Sequence, residues 1–319
     1  MKLLKGLVVA SLVASLSLFT GCSDDDNNND PAQTQFDLLS AYTDAHLADW
    51  TASGWIKDAS DVYNNLAARY VIDMRSAADY GTGHIEGAVN ATPSTLLSVA
   101  GNAGGKTIAV VCYTGQTASW ATMALRMSGY ADAYAMKYGM SAWNQTYAGS
   151  WDGGCSDTYV ADFVTTAPPA LPTYDAPALS GSQTSGADIL ADRVQAVLQG
   201  GFLTKTAASV FADLSGYNVI NYWSEADYTT FGHIPGALQV SPGTLFADQN
   251  LSVLDPAGQN VLYCWTGQTS GFMSFYLNVM GYETYSLKFG ANSMIHGNLG
   301  GHAWGTGGIV DYNYPVVTN

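Results

Sequence analysis

Apolar residues in this chain fall into two alternating kinds of run. Short, β-rich runs such as Ile108 to Val111 and Val261 to Tyr263 precede longer helix-like stretches, Ala121 to Met127 and Gly271 to Met280, each stopped by a glycine. Strand followed by helix, repeated, predicts the α/β class. A third kind of run stands at the start: Lys2 and Lys5 precede an apolar stretch from Leu7 to Phe19, which ends in Leu18-Phe19-Thr20-Gly21-Cys22. It falls short of the about 20 apolar residues that a spanning helix needs and has the layout of a secretory signal.

The alternation is written twice. Val71-Ile72-Asp73-Met74-Arg75-Ser76-Ala77-Ala78-Asp79-Tyr80 is answered by Val219-Ile220-Asn221-Tyr222-Trp223-Ser224-Glu225-Ala226-Asp227-Tyr228. Gly83-His84-Ile85-Glu86-Gly87-Ala88 recurs as Gly232-His233-Ile234-Pro235-Gly236-Ala237, and Met136-Lys137-Tyr138-Gly139 as Leu287-Lys288-Phe289-Gly290. Two copies of one unit, each of domain length, follow.

Each copy carries a cysteine loop between its strand and its helix: Cys112-Tyr113-Thr114-Gly115-Gln116-Thr117 and Cys264-Trp265-Thr266-Gly267-Gln268-Thr269. A cysteine there meets the free N–H groups and positive dipole end of a helix, which favour a thiolate and any anion attached to it. The amides from Tyr113 to Thr117 are expected to form an anion nest, with the Thr114 and Thr117 hydroxyls adding donors. Position 118 is Ala and position 270 is Ser, so the arginine that would clamp a tetrahedral oxyanion is missing, which argues against phosphoryl chemistry. Neither loop has a lysine or arginine; Tyr113 or Trp265, with Gln116 or Gln268, is expected to give an uncharged, aromatic-lined mouth.

These residues together carry a family resemblance. Asp73-x-Arg75 at a strand end, the Gly-His-Ile-x-Gly-Ala motif, a strand ending in Cys-x-x-Gly-x-Thr, and Gly139-Met140-Ser141-Ala142-Trp143 resemble the rhodanese family of sulfurtransferases. The resemblance covers most of both halves. It implies two tandem domains, each a mainly parallel central sheet flanked by helices, with Cys112 and Cys264 accepting sulfur as a persulfide and no cofactor. Asp73 and Arg75 would brace the first site; Asn221 and Trp223 replace them in the second, which ranks Cys112 first. Cation-free loops resemble mercaptopyruvate-type members more than thiosulfate-using ones, so a polysulfide, a small persulfide or a partner protein is the expected donor. A thiol or protein is the expected acceptor, and a perselenide would fit the same nest.

Composition narrows the partners. The chain carries 11 basic and 26 acidic residues, a net charge of −15, so neither nucleic acid nor an anionic membrane surface would meet a basic patch. The segment ending at Cys22 resembles a bacterial lipoprotein signal, with Cys22 as the lipidated residue. Ser23-Asp24-Asp25-Asp26-Asn27-Asn28-Asn29-Asp30-Pro31 has nothing to bury and reads as a tether. The expected layout is a signal over 1–21, a disordered tether over 22–35, domains over 36–160 and 187–319, and a linker over 161–186. Ser23 rather than Asp after the cysteine resembles outer-membrane sorting, which puts the protein on the periplasmic side of the envelope, in contact with the membrane through its lipid alone. The alternative reading is a non-catalytic accessory lipoprotein that binds selenium or tellurium oxyanions or sulfur species for an outer-membrane uptake or electron-transfer complex. Cys155, in Gly153-Gly154-Cys155, stands where the other copy has His302 and reads as a loop residue; His84 and His233 read as structural turns, and no metal site is expected.

Overall fold

A computed structural model describes residues 33–47, 54–246, 249–305 and 313–318. The signal segment, Cys22 and nearly all of the expected tether lie outside these residues. Gln33 to Asn319 cluster as one compact unit. No helix among the described residues is long and apolar enough to cross a membrane.

Two five-stranded sheets dominate. The first comprises β1 (Ile56–Lys57), β2 (Arg69–Asp73), β3 (Val89–Asn90), β4 (Thr107–Val111) and β5 (Tyr134–Met136), ordered β1-β5-β4-β2-β3. The second comprises β6 (Thr204–Lys205), β7 (Asn218–Asn221), β8 (Leu238–Gln239), β9 (Asn260–Tyr263) and β10 (Thr284–Leu287), ordered β6-β10-β9-β7-β8. Every pairing is parallel, and equivalent strands occupy equivalent places. Parallel strands are covered on both faces, which is why the central strands Thr-Ile-Ala-Val-Val and Asn-Val-Leu-Tyr read as unbroken, buried runs. The α/β class and the two parallel sheets are as expected.

Four helices of 12 residues or more are described: α1 (Gln35–His46), α2 (Gln116–Met127), α3 (Gly186–Gly200) and α4 (Gln268–Val279). Helix α1 is closed at its start by a reciprocal capping box between Thr34 and Asp37, at the end of the stretch expected as tether. Helices α2 and α4 follow the two cysteine loops and pack on each other. Gly271 makes the close approach feasible, because a methyl group there would press on the Gln116 carbonyl oxygen at 2.9 Å. Trp120 then packs edge-on to Phe275, with ring centroids 5.1 Å apart, and Trp55 meets Phe272 at 5.6 Å, so one apolar core runs through both halves.

The segments that follow each unit exchange places. After the first unit, Ser156 and Tyr159 donate to the Asn292 and Met294 carbonyls, and Val164 forms an antiparallel bridge with His233. After the second, Tyr314 donates to the Trp143 carbonyl and Val317 bridges His84. Both histidines therefore hold a returning segment through their backbone while their rings stack on Tyr80 and Tyr228, the structural part expected for them. Helix α1 crosses over too: Phe36 meets Tyr282, and the Thr43 hydroxyl points at the Met280 sulfur.

Candidate active site

Strand β4 delivers Cys112 to the C-terminal edge of its sheet, and α2 starts four residues later. Cys112 is 4% exposed, and its Sγ accepts hydrogen bonds from the Gly115 and Ala118 amides at 3.2 and 3.3 Å. Of these two donors Gly115 belongs to the span expected as a nest, whereas Ala118 stands one residue beyond the six-residue loop. The path of the loop is pinned from outside. Met140 and Ser141 donate from their amides to the Cys112 and Tyr113 carbonyls, the Ser141 hydroxyl reaches the Tyr113 carbonyl at 2.9 Å, and Trp151 Nε1 reaches that of Thr114 at 3.2 Å.

Below the loop, the Arg75 guanidinium forks onto Asp73, with Nε 3.0 and 3.1 Å and Nη2 2.6 Å from the carboxylate, and it also donates to the Gly83 carbonyl. Both side chains are buried. The guanidinium carbon lies 5.2 Å from the Tyr113 ring centroid and 5.4 Å from that of Tyr147, so the bracing reaches the loop through these two rings. Burial, followed by a hydrogen bond with Asp79, pushes the Tyr113 phenol up, leaving a neutral hydroxyl at the mouth.

The second loop repeats the path with different supports. Cys264 is 2% exposed, and its Sγ accepts from the Ser270 amide at 3.4 Å. The Ala291 amide donates to the Cys264 carbonyl, and Asn292 Nδ2 to that of Trp265. Where the first half has the Asp73–Arg75 pair, Asn221 donates to the Tyr263 hydroxyl at 2.8 Å, which also accepts from the Ile234 amide. Trp223 stacks on Trp265 at 3.9 Å, and His302 stacks on Trp265 at the same distance. A π stack thus replaces the cation under the aromatic residue of the loop, so the loss of the charged pair does not strip the second loop of support. His302, assigned no role from the sequence, belongs to that stack; its place in the repeat opposite Cys155 was the available signal.

The glutamines correct the expected mouth. Gln116 and Gln268 are 6% and 2% exposed and cross between the halves. Gln116 Oε1 accepts from the Phe289 amide and Gln268 Oε1 from the Tyr138 amide, both at 2.8 Å, while each Nε2 donates to Thr114 or Thr266 of its own loop. Tyr138 and Phe289 are the two non-glycine residues with positive φ among those described, at 59° and 61°. Each glutamine therefore secures a strained turn of the opposite half, and the two loops face one another. The rings of Tyr138, Trp151, Phe289 and Trp304 fill the space beside them, with neighbouring centroids 5.1 to 5.4 Å apart. With the glutamines inward, the exposed faces left to the mouths are those of Tyr113, Thr114 and Thr117, and of Trp265, Thr266 and Thr269, all partly exposed.

A second correction concerns acidity. The helix start and loop amides predict an unusually acidic Cys112. Burial instead pushes its thiol up from the ordinary value of 9.0, outweighing the opposing pull of the Ala118, Thr114 and Gly115 amides. Alkylation of Cys112 is accordingly expected to accelerate only above the ordinary thiol range, which a peptide-resolved rate profile against pH measures. The folded state then holds a proton that the unfolded chain releases sooner, so this thiol's contribution to stability is present below pH 9 and is lost as pH rises further. Cys155 is a half-buried free thiol, raised to about 12 by burial and then by Asp152 and Asp157, and so carries little thiolate at neutral pH.

Comparison with known proteins gives a consistent picture. The family model for the rhodanese-like domain matches residues 55–146. A thiosulfate sulfurtransferase, GlpE, of Shewanella oneidensis is 33% identical over 79 residues, which span 24% of this chain and 78% of that protein. Two solved structures show a likeness over more of the chain. A thiosulfate sulfurtransferase from Pseudomonas aeruginosa is 18% identical with a TM-score of 0.30, over 80% of this chain and 46% of that one. The 3-mercaptopyruvate sulfotransferase SseA from Escherichia coli is 15% identical with a TM-score of 0.29, over 74% and 98%.

Proposed function

This chain belongs to the rhodanese-like family, and on that premise we propose that it is a sulfurtransferase that carries sulfane sulfur as a persulfide on Cys112 and on Cys264. The observation that carries the reading is the pair of cysteine sulfurs at helix starts, Cys112 Sγ accepting two amide hydrogens and Cys264 Sγ one. A persulfide places its negative charge on the outer sulfur, next to the inner one these amides address, so the same helix-start dipole favours it.

The reaction is an exchange without net oxidation. The cysteine thiolate attacks the outer sulfur of a persulfide or polysulfide donor, forming the new S–S bond as the donor's own S–S bond breaks. The donor thiolate departs and takes up a proton. An acceptor thiolate then attacks the outer sulfur of the enzyme persulfide and releases the cysteine thiolate. Tyr113 at the first mouth and Trp265 at the second, with no lysine or arginine in either loop, suit a persulfide, with at most one charge on its sulfur, better than the doubly charged thiosulfate ion. The residues before position 33 support a lipid anchor at Cys22 on the periplasmic side of an outer membrane. Selenium in place of sulfur would use the same amides.

Intact-mass analysis of the reduced protein after polysulfide treatment tests the reading. The reduced wild type is expected to gain sulfur at both loop cysteines, Cys112→Ser and Cys264→Ser each at the one remaining, and the double variant at neither. No sulfur gain in fully reduced wild type would overturn the sulfurtransferase reading and favour capture without turnover.

A further inference from the structure

The two loops differ at two buried positions behind the cysteine. Ala118 on α2 and Ala135 on β5 are both wholly buried and carry no polar side-chain atom. Their counterparts in the repeat are Ser270 on α4 and Ser286 on β10, also wholly buried. Cys264 Sγ lies 3.6 Å from Ser270 Oγ, Ser270 Oγ lies 2.7 Å from Ser286 Oγ, and Ser286 Oγ lies 3.4 Å from the Gly267 carbonyl. The first loop has no such chain of hydroxyls.

We propose that Ser270, positioned by Ser286, is a catalytic residue of the second loop: a reversible hydroxyl donor that stabilises the Cys264 thiolate and makes Cys264 the more readily ionised of the two sulfur-accepting cysteines. The inference rests on the reading of Cys264 as a persulfide carrier and deepens it. A serine hydroxyl offers one hydrogen and two lone pairs, so the chain can run in either direction. With Cys264 protonated, the thiol donates to Ser270, Ser270 to Ser286, and Ser286 to the Gly267 carbonyl. When the thiol proton leaves to solvent water, the two hydroxyls rotate: Ser286 donates to Ser270 and Ser270 donates to the sulfur anion. The bond given up, at 3.4 Å, is the longer of the two oxygen–oxygen bonds in the chain, and the bond gained is to a charged acceptor in a buried site, where hydrogen bonds are strongest. Nothing but two hydroxyl torsions moves, so the response requires no change in packing. Cys112 has amides alone to offset the same burial.

The ionisable groups around Cys264 do not supply this stabilisation. Tyr138, facing it from the other half, is raised to about 12, by burial first and then by Asp58 and Cys264 itself. The Tyr263 phenol is pushed up by burial, and His302 stacks on the outer Trp265 ring. The two phenols are neutral at the pH of the test.

The test is the alkylation rate of each cysteine against pH, read peptide by peptide in the full-length reduced protein. In the wild type the midpoint for Cys264 is expected below that for Cys112. Ser270→Ala, which copies the residue already tolerated at position 118, is expected to raise the Cys264 midpoint by about one pH unit, roughly tenfold in thiolate at neutral pH, and to leave Cys112 unmoved. Ser286→Ala is expected to give a smaller shift in the same direction. Ala118→Ser combined with Ala135→Ser is expected to lower the Cys112 midpoint. An unchanged Cys264 midpoint in Ser270→Ala, or equal shifts at both cysteines, would overturn the proposal. Sulfur gain at Cys264 with an unmoved midpoint refutes the hydroxyl chain alone, whereas a moved midpoint without sulfur gain refutes the persulfide reading alone.

Discussion

Gly139→Ala is expected to destabilise the protein by about 3 kcal/mol or more and to abolish sulfur loading at Cys112, since strain and backbone collision act on one residue. Gly139 has φ 58° and ψ −148°, a region that side chains avoid. A methyl group there would also collide with the Cys112 carbonyl oxygen, the Tyr113 carbonyl carbon and the Gly115 amide nitrogen. All three are backbone atoms of the cysteine loop, so none can swing aside as a side-chain end could. Relief requires moving the loop, and with it the amides that address Sγ. Gly87→Ala is the control: Gly87 also has positive φ, 73°, but a methyl group would meet nothing within 4 Å. It is expected to cost only about 1 kcal/mol and to leave loading intact. Chemical denaturation midpoints with mass-resolved loading separate the cases, and near-equal costs would show that the loop is not held as tightly as its contacts indicate. Gly290 stands in the same relation to the Cys264 loop.

The second large effect is electrostatic. Asp73→Ala is expected to cost about 3–5 kcal/mol, because it leaves the Arg75 guanidinium buried without its counter-charge. Arg75 is 4% exposed, and its Nη1 already lacks a hydrogen-bond partner. Removing both charges, in Asp73→Ala with Arg75→Leu, is expected to be less harmful than removing Asp73 alone, since no unpaired ion remains. The two denaturation curves decide it: an Asp73→Ala variant as stable as the wild type would show that the pair adds nothing to the first half. The second half illustrates the alternative, with a neutral amide on a tyrosine hydroxyl and a stack of aromatic rings in the same place.

Much of the architecture was legible in the chain. Unbroken apolar runs at Ile108 to Val111 and Val261 to Tyr263 became the central strands β4 and β9, because a strand covered on both faces must be apolar on both. Helices stopped by glycine became α2 and α4, and residues matched in the repeat took matched places in two sheets of identical strand order. The cysteine at the junction of strand and helix was legible for the same local reason: a helix start presents free amides to whatever precedes it, and both sulfurs do receive them.

The sequence by itself determined the α/β class, the duplication and the placement of two cysteines at helix starts, all of which follow from local periodicity and turn chemistry. Only the tertiary structure decided what surrounds those cysteines. Gln116 and Gln268 read as mouth residues because they sit in the loops, yet they turn inward, each accepting from a backbone amide of the opposite half. The rise in the Cys112 thiol depends on how completely the second half and the surrounding core exclude water, a quantity no stretch of neighbouring residues encodes. Ser270 was noticed only as the absence of an arginine; its bond to Cys264 and to Ser286 required the helix to be laid against β10, 16 residues further along the chain. Local order is written in short-range pattern, whereas burial, mutual hydrogen bonding and charge balance arise where distant segments meet.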